Sequence, residues 1–495
     1  MNNDLGAKEN RYSAIGICLS FISFVLGLVV LIKSYNSNNG SYIYLAVLPI
    51  IYSLVCMLCL SVFKEMFKKI SITLIVCLYF IRMVLIPVFI IMLNYQNYSF
   101  TSAFSDSAVK TILLMSYEFL CVLFFYGIYL SKSKNKESAE VKSSSTKDDK
   151  QNEIIENFSI KNSVKILAFF LCIFAIIIYI KYPVVKNYTS FLFEKSSENR
   201  FVDYVEFRNI KSNVPSYIYW LYVTIYNILY IVMPFFIVLW IKNKRISTNI
   251  KMILSIIVIV GAICISTPQK ANSFFMGISM LLILTYLYPK KKKILISTLA
   301  IGGTGVLFYA LFLKSNLTSG NRSFIDVMEV YFSGPHSIAI GFKMSKAGSG
   351  LKLLLNDFLS SIAYMKYFFK DTITTTQLYN IAFYQGDYRY DKIIPMISQS
   401  NYYFGGILSP IISCLVAICS LKIDKKQENS IDIFRRYILF YTVILVSSSI
   451  IVYNFGILIA NLTGTVLPVY LISRLNNKKG RRRKVWKELI VPLKI

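Results

Sequence analysis

The chain has 495 residues, of which 55% are hydrophobic and only 16% are charged, whereas soluble domains are about 45–50% apolar and about 25% charged. Its 54 Lys and Arg outnumber its 25 Asp and Glu and give a net charge of +29. Such an excess of cations in an apolar chain is typical of loops beside an anionic bilayer face, and no soluble stretch is long enough to present a basic nucleic-acid-binding surface. The composition excludes a soluble enzyme and a nucleic-acid binder, and it predicts an all-α polytopic integral membrane protein.

Runs of about 20 apolar residues cross the hydrocarbon core of a bilayer as helices. We expect about twelve such spans, at residues 12–32, 42–63, 70–93, 108–130, 164–180, 215–241, 252–266, 273–288, 294–313, 402–421, 437–453 and 455–473. The first run is not a cleavable signal peptide, because it is long and no small-x-small cleavage site follows it. All nine cysteines lie within these runs, so Cys56 and Cys59 are expected to be buried hydrophobes and not a redox or metal pair.

The distribution of cations predicts the orientation. Lys290–Lys293 and residues 478–484 are dense in Lys and Arg, whereas residues 94–107 contain none. Cytoplasmic loops carry the excess of Lys and Arg. Both termini are therefore predicted to be cytoplasmic, with large external loops before spans six and ten.

The chain divides into six regions by composition. These are spans one to four (1–130), a polar cytoplasmic linker (131–163), spans five to nine with an external loop at 181–214 (164–313), a large external loop with amphipathic helices (314–401), spans ten to twelve (402–473) and a basic cytoplasmic tail (474–495). Loops as long as residues 314–401 are usually functional or disordered, and this one is too aromatic to be disordered.

Two charged residues fall in the middle of predicted spans, Arg82 in the third and Glu118 in the fourth. Isolated charges at that depth are energetically expensive. The two spans run in opposite directions, so an intramembrane ion pair between these residues would lock two helices together. The alternative is a contact with a lipid headgroup or a substrate in a cavity.

The first large external loop alternates charges with aromatic residues at helical spacing, and its charged members include Arg200, Asp203, Glu206 and Arg208. The planar fork of an arginine is suited to a pyrophosphate, and a carboxylate is suited to general-base catalysis. The alternative is an interfacial helix whose charges pair with one another, as Arg200 would with Asp203.

The second large external loop carries Arg322, Asp326, Glu329 and His336, the only histidine in the chain. A single histidine excludes a cluster of histidine metal ligands, but one imidazole near carboxylates can act as a general base. Asp326 and Glu329 share a helix face and suit either a base or a pair with Arg322. The alternative is that His336 is incidental.

Arg389 lies in a segment rich in charge and aromatic rings, just before the predicted tenth span. Such a composition suits a sugar-binding surface, but aromatic belts at the membrane interface have it too.

The chain lacks a Walker-type phosphate loop and an Asp-x-Asp pair in the outer loops. ATP hydrolysis by that route and a nucleotide-sugar donor held through a divalent metal are therefore not expected. Any outer-face reaction would use a donor already activated in the membrane, and we expect neither a metal nor a cofactor.

The chain resembles the bacterial O-antigen and capsule repeat-unit polymerases, the Wzy-type oligosaccharide repeat unit polymerases. The resemblance lies in the architecture of the whole chain and in four passages: residues 199–209, the turn at 266–272, Tyr331-Phe332-Ser333-Gly334-Pro335, and residues 403–410. It implies a glycosyltransferase of the bacterial cytoplasmic membrane. Such an enzyme transfers an undecaprenyl-pyrophosphate-linked glycan onto another lipid-linked repeat unit.

The resemblance also implies roles for residues and partners. Outer-loop cations would hold the pyrophosphate, and the matching candidates are Arg200, Arg208, Lys270, Arg322 and Arg389. His336 or one of the outer-loop carboxylates would remove the acceptor proton. The expected partners are lipid-linked oligosaccharides and membrane lipids, with a chain-length regulator and a flippase as further candidates.

A lipid-linked oligosaccharide flippase of the multidrug/oligosaccharidyl-lipid exporter type is the alternative, since it also has about twelve spans. Such a transporter needs paired halves for alternating access, short outer loops and a charge-lined cavity. The long segment at 314–401, the absence of an internal repeat and the scarcity of intramembrane charges favour the polymerase. On this interpretation the two external loops, and not the helical bundle, form the site.

Overall fold

The computed structural model describes most of the chain. It covers residues 2–36, 40–60, 62, 68–95, 103–140, 160–183, 185, 190–191, 214–266, 270–298, 300, 302, 305, 324–365, 368–369, 372–386 and 392–476, without the side chains of residues 2–13, 133–140, 190–191, 216, 266 and 270. The described residues are mostly helical. The one sheet among them is a two-residue antiparallel pairing of β1 (Ser190–Phe191) with β2 (Ile265–Ser266).

The helices follow one another through the described part of the chain. They are α1 (Asn2–Asn36), α2 (Val47–Leu58), α3 (Ile70–Phe80), α4 (Ile86–Met92), α5 (Ala103–Glu140), α6 (Asn162–Lys181), α7 (Ser216–Lys242), α8 (Thr248–Cys264), α9 (Lys270–Leu287), α10 (Phe324–Tyr331), α11 (Pro335–Gly341), α12 (Gly350–Ser361), α13 (Thr375–Phe383), α14 (Met396–Phe404), α15 (Ile411–Glu428), α16 (Ile433–Val452), α17 (Phe455–Asn461) and α18 (Leu467–Asn476). Short 3-10 helices lie at Gly40–Ala46, before α2, and at Pro289–Lys291, after α9.

Eight stretches of the described residues are long and apolar enough to cross a membrane. They are Ala14–Asn36, Gly40–Leu58, Ile70–Met92, Ala103–Lys132, Asn162–Lys181, Tyr217–Lys242, Ile433–Val452 and Phe455–Asn476. A ninth is present if Ala271–Leu287 and Pro289–Thr298, which meet at 114°, form one broken span. The chain is an all-α, multi-pass membrane protein, and the first six of these stretches overlap the first six predicted spans.

The eleventh and twelfth predicted spans overlap Ile433–Val452 and Phe455–Asn476, but the seventh to tenth differ from the helices found. The seventh corresponds to α8, which at 17 residues is shorter than the other candidates. The eighth ends in the sharp bend after α9, and most of the ninth lies outside the described residues. The predicted tenth span, at 402–421, is not one helix. α14 ends at Phe404. The next residue, Gly405, has a φ of +79°, which suits a residue without a side chain, and α15 begins only after Pro410.

Two of the spans contain a π turn, Ile81–Leu85 between α3 and α4 and Leu462–Val466 between α17 and α18. A proline, Pro87 or Pro468, stands two residues after each of them. Proline has no N–H, and its ring clashes with the carbonyl four residues earlier. The wider π turn accommodates the proline and turns nearby side chains onto a new face. Arg82 lies in the first π turn and is buried.

The interior is organised around α16, in which every residue except Arg435 is buried. One side of α16 packs with α3 and α15, and another side packs with α9. Buried apolar residues form one cluster that joins α1–α5 with residues 324–404 and α15, and a second that joins α7–α9, α16 and α18. α16 contributes residues to both clusters and so links the two halves of the bundle.

The short helices α10 and α11 form part of the bundle core. α11 packs along α5, and α10 packs against α4. Ile325, Met328, Ile338 and Ala339 are all buried in the first apolar cluster. These two helices belong to the segment at 314–401 that the sequence predicts as an external loop, so this part of the predicted loop packs against the span helices and is not separate from the bundle.

Candidate functional site: a buried histidine–glutamate pair and its arginine anchor

A tight turn between α10 and α11 places the candidate catalytic residues. Ser333 has a φ of +50°, and the N–H of Gly334 donates to the carbonyl of Glu329 at 3.0 Å. Pro335 then starts α11, where its missing N–H and fixed φ are favourable. As a result, Glu329 near the end of α10 and His336 at the start of α11 face each other.

His336 and Glu329 are in direct contact. Nδ1 of His336 lies 2.9 Å from Oε1 of Glu329, and the side chains are 4% and 0% exposed. The second carboxylate oxygen accepts the N–H of Ser337 at 3.3 Å. The hydroxyl of Tyr42 lies 3.1 Å from Nε2 of His336. The carboxylate therefore orients the imidazole from one side, and its other nitrogen faces a hydroxyl group.

The imidazole is enclosed by aromatic rings. The centroids of Tyr42, Tyr95 and Phe104 lie 5.7, 5.9 and 5.1 Å from that of His336. Apolar walls lower the local dielectric constant and strengthen electrostatic interactions inside the site.

The structure brings Arg82 and Glu118 together as a buried ion pair. Their side chains are 1% and 0% exposed, and Nη1 of Arg82 lies 2.7 Å from Oε2 of Glu118. Ser413 donates its hydroxyl to the other oxygen of Glu118 at 2.5 Å. Removing one partner of a buried pair destabilises a protein by about 3–5 kcal/mol, because the remaining charge is left uncompensated.

Arg82 also holds the turn that carries His336. Its Nε donates to the carbonyl of Ser333 at 3.0 Å, and the hydroxyl of Ser333 donates to the carbonyl of Ile451 at the end of α16. Among the described residues, Nη2 of Arg82 has no hydrogen-bond partner. Arg82 thus connects the ion pair to the histidine turn and retains a buried N–H that can donate further.

We call this group the buried polar cluster. Its members are Tyr42, Arg82, Glu118, Glu329, Ser333, His336 and Ser413. They come from the 3-10 helix before α2, the π turn after α3, α5, the α10–α11 region and α15. The cluster therefore combines the predicted loop residues with the bundle helices.

A second buried carboxylate joins three short helices. Asp357 of α12 accepts hydrogen bonds from the hydroxyls of Thr375 and Tyr403 and, at 3.2 Å, from the amide of Gln399. The N–H of Thr375 donates to it at 3.1 Å. Burial raises the pKa of Asp357 above its ordinary value, although these hydrogen bonds lower it in part.

The other predicted site residues lie largely outside the described part of the chain. This applies to Arg200, Asp203, Glu206, Arg208, Arg322 and Arg389. Lys270 begins α9, but its side chain is not described. Asp326 lies half-buried on α10, one turn before Glu329. Among the described residues, no group of three or more His, Cys, Asp or Glu could hold a metal ion.

Sequence reasoning missed Tyr42 and Asp357. Tyr42 is 294 residues away from His336 in the chain, and nothing in the sequence indicates that contact. Asp357 had a local signal, since it is a lone carboxylate in the amphipathic segment 351–358. Its partners follow 18 to 46 residues later, so the sequence alone did not identify them.

Comparisons of the chain with protein-family models, with curated proteins and with solved structures give no match.

Proposed function

We propose that the chain is an oligosaccharide repeat unit polymerase, a metal-independent glycosyltransferase of the bacterial cytoplasmic membrane. It would join undecaprenyl-pyrophosphate-linked repeat units on the outer face of that membrane into a surface polysaccharide. The observation that carries the proposal is the buried contact between His336 and Glu329 within a multi-pass helical bundle.

In this proposal His336 is the general base. The carboxylate of Glu329 accepts a hydrogen bond from the Nδ1–H of His336, which keeps that proton on Nδ1 and leaves Nε2 unprotonated, the tautomer that a base requires. The hydroxyl of Tyr42, 3.1 Å from Nε2, occupies the position that an acceptor sugar hydroxyl would take. The acceptor proton passes to Nε2 as the acceptor oxygen bonds to the anomeric carbon of the donor glycan.

The same step breaks the bond between the anomeric carbon and the pyrophosphate, which leaves with its polyprenyl chain. Negative charge then grows on the leaving group, and cations stabilise it. Arg82 supports this role because one of its guanidinium nitrogens is buried without a hydrogen-bond partner among the described residues. The resemblance to the polymerases assigns the same role to the outer-loop cations.

The test uses the full chain in proteoliposomes supplied with lipid-linked repeat units from its own host. His336→Ala should slow polymer formation by about 10²–10⁴-fold, the usual contribution of a positioned acid or base. Glu329→Gln should retain a hydrogen-bond acceptor but lose its charge, so its rate should fall between those of wild type and His336→Ala. A gel ladder of polysaccharide lengths measures both.

Asp424→Asn is the matched control, since Asp424 is also a buried carboxylate but accepts from Ser71 in another part of the bundle. It should polymerise at a rate close to wild type. Polymer formation by His336→Ala at the wild-type rate would overturn the proposal. If cells carrying His336→Ala trapped single units on the cytoplasmic face, a flippase would replace the polymerase.

A further inference from the structure

Three cations converge on one tyrosine at the end of the bundle where α15 ends and α16 begins. The distance to the ring centroid of Tyr470 is 5.0 Å for Nζ of Lys426, 5.5 Å for Cζ of Arg435 and 5.3 Å for Cζ of Arg474. Nη2 of Arg435 also donates to the Tyr470 hydroxyl at 3.0 Å. We call these four residues the Tyr470 cluster.

The cations of the Tyr470 cluster are not paired directly with carboxylates among the described residues. Within the described part of the chain, none of its three cations forms an ion pair. The carboxylate of Asp432 caps α16 through the N–H of Arg435, at 2.9 Å, and accepts from Asn476, at 3.0 Å. Like charges held together in this way repel one another, so an anion would stabilise the arrangement.

Two further hydrogen-bond donors lie at the start of α16. Nε of Arg435 and Nε of Arg436 are buried and, among the described residues, have no hydrogen-bond partner. Arg436 is only 3% exposed, and its guanidinium lies 4.6 Å from the ring centroid of Tyr286. The planar guanidinium fork matches the oxygens of a phosphate.

An apolar stripe runs along α18 to the same place. Leu467, Leu471 and Leu475 follow one another at a spacing of four residues and are 51%, 50% and 55% exposed. Residues four apart share one face of a helix. An acyl chain can lie along this stripe, whereas a soluble phosphate has no apolar group that would contact it. The stripe therefore favours a phospholipid as the ligand.

We propose that the Tyr470 cluster binds the phosphate of an anionic phospholipid headgroup, while an acyl chain of the same lipid lies along the leucine stripe of α18. The excess of cations at this end of the helices places the site in the leaflet that faces the cytoplasm. This lipid site is separate from the proposed glycosyltransferase site and does not depend on it.

The experiment measures the lipid that the full chain retains in detergent after equilibration with equal amounts of phosphatidylglycerol and phosphatidylcholine. The variant replaces Lys426, Arg435 and Arg474 with Gln. Each basic residue near an anionic lipid surface strengthens binding severalfold, so the ratio of retained phosphatidylglycerol to phosphatidylcholine should fall by at least about tenfold. The single variant Arg474→Gln, at an exposed position, should lower this lipid ratio about fivefold. It replaces the triple variant in the experiment if the triple variant does not fold.

The matched control replaces Lys290, Lys291 and Lys292 with Gln, which removes three charges from a segment with the same predicted orientation. It should change the lipid ratio by less than about twofold. An equal fall in both triple variants would overturn the site, because general charge would then explain retention. Displacement of phosphatidylglycerol by inorganic phosphate at equal concentration would identify a soluble anion and overturn the lipid assignment.

Discussion

Gly334 lies where any side chain would collide with the carboxylate of Glu329, the partner of the candidate general base His336. A Cβ at this position would lie 2.3 Å from Oε2 of Glu329, closer than non-bonded atoms approach. In Gly334→Ala the carboxylate must therefore move, and its contact with His336 must change. We expect polymer formation to fall by at least about tenfold, since misplacing a catalytic group by about 1 Å can cost about 10²-fold.

Gly261→Ala is the control for this substitution. A Cβ on Gly261, within α8, would meet nothing within 4 Å. Alanine is also favoured over glycine inside a helix by about 0.5–1 kcal/mol, so this variant should be at least as stable as wild type and equally active. Equal activity of both alanine variants would show that the geometry around Glu329 does not limit the reaction.

Arg82 has two roles: it forms the ion pair with Glu118, and it holds the turn that carries His336. Exchanging the two charges separates the effect on stability from the effect on activity. Glu118→Gln leaves the buried charge of Arg82 uncompensated and should destabilise the protein by about 3–5 kcal/mol. The exchange Arg82→Glu with Glu118→Arg restores a pair of opposite charges and should recover part of that loss. It should not recover polymer formation, because a carboxylate at position 82 cannot donate to the carbonyl of Ser333.

Thermal unfolding in detergent measures the stability of the two variants, and the polysaccharide ladder measures their activity. Full recovery of both quantities in the exchanged protein would show that the contact from Arg82 to Ser333 has no positioning role. The exchange keeps the total charge constant and so provides its own control for a general electrostatic effect.

The predictability of these residues follows from how far apart they are in the chain. Arg82 and Glu118 are identifiable because both are charged and both fall mid-span, where isolated charges are costly. Glu329 and His336 are seven residues apart, and the Gly334-Pro335 step between them favours a break between helices. Tyr42 depends on a tertiary contact, and no local pattern marks it as a partner of His336.

At the scale of elements, hydropathy locates most of the spans but not their interruptions. The π turns before Pro87 and Pro468 do not interrupt their spans. A window of apolar residues therefore identifies each of these two spans correctly, although it does not reveal the π turn. The break at residues 405–410 is different, because Gly405 adopts a positive φ and Pro410 precedes a new helix. Apolar residues on both sides of this break resemble one span in the sequence.

The short helices α12, α13 and α14 meet at Asp357, and this junction predicts a pH dependence of stability. α12 is not one of the membrane-crossing stretches. Burial raises the pKa of Asp357, so the folded state holds this proton more tightly than the unfolded state. The stability that Asp357 contributes is present below its ordinary pKa of about 3.9 and is lost as the pH rises through the raised pKa.

Asp357→Asn removes this titration. The melting temperature of wild type, minus that of the variant, should therefore fall as the pH is raised from about 4 toward 7. Asp106→Asn removes an exposed carboxylate that faces Lys343 and is the control. A difference that stays constant or rises with pH in Asp357→Asn would contradict a raised pKa for the carboxyl in the folded state.

At the scale of the whole molecule, α16 connects the buried polar cluster to the rest of the bundle. Ser447, Ser448 and Ser449 are three consecutive buried small residues in this helix, and small residues let membrane helices approach closely. Two residues later, Ile451 accepts the hydrogen bond from Ser333. The turn that carries His336 thus rests on the most buried of the membrane-crossing stretches that the structure describes, which explains how a segment between spans can hold a fixed geometry.

The orientation of the bundle decides whether the proposed reaction can occur on the outer face. The predicted topology places α12 outside and the Pro289–Lys291 helix inside. In a cysteine-free background, Lys352→Cys on α12 should react with a membrane-impermeant maleimide on intact cells. Lys290→Cys should react only after permeabilisation, and it is the matched control because the topology predicts the opposite side of the membrane for this lysine. Lys352 and His336 belong to the same stretch between spans, so labelling of Lys352→Cys only in permeabilised cells would place this stretch on the cytoplasmic side. Lipid-linked units joined there would not yet have crossed the membrane, and the polymerase proposal would fail.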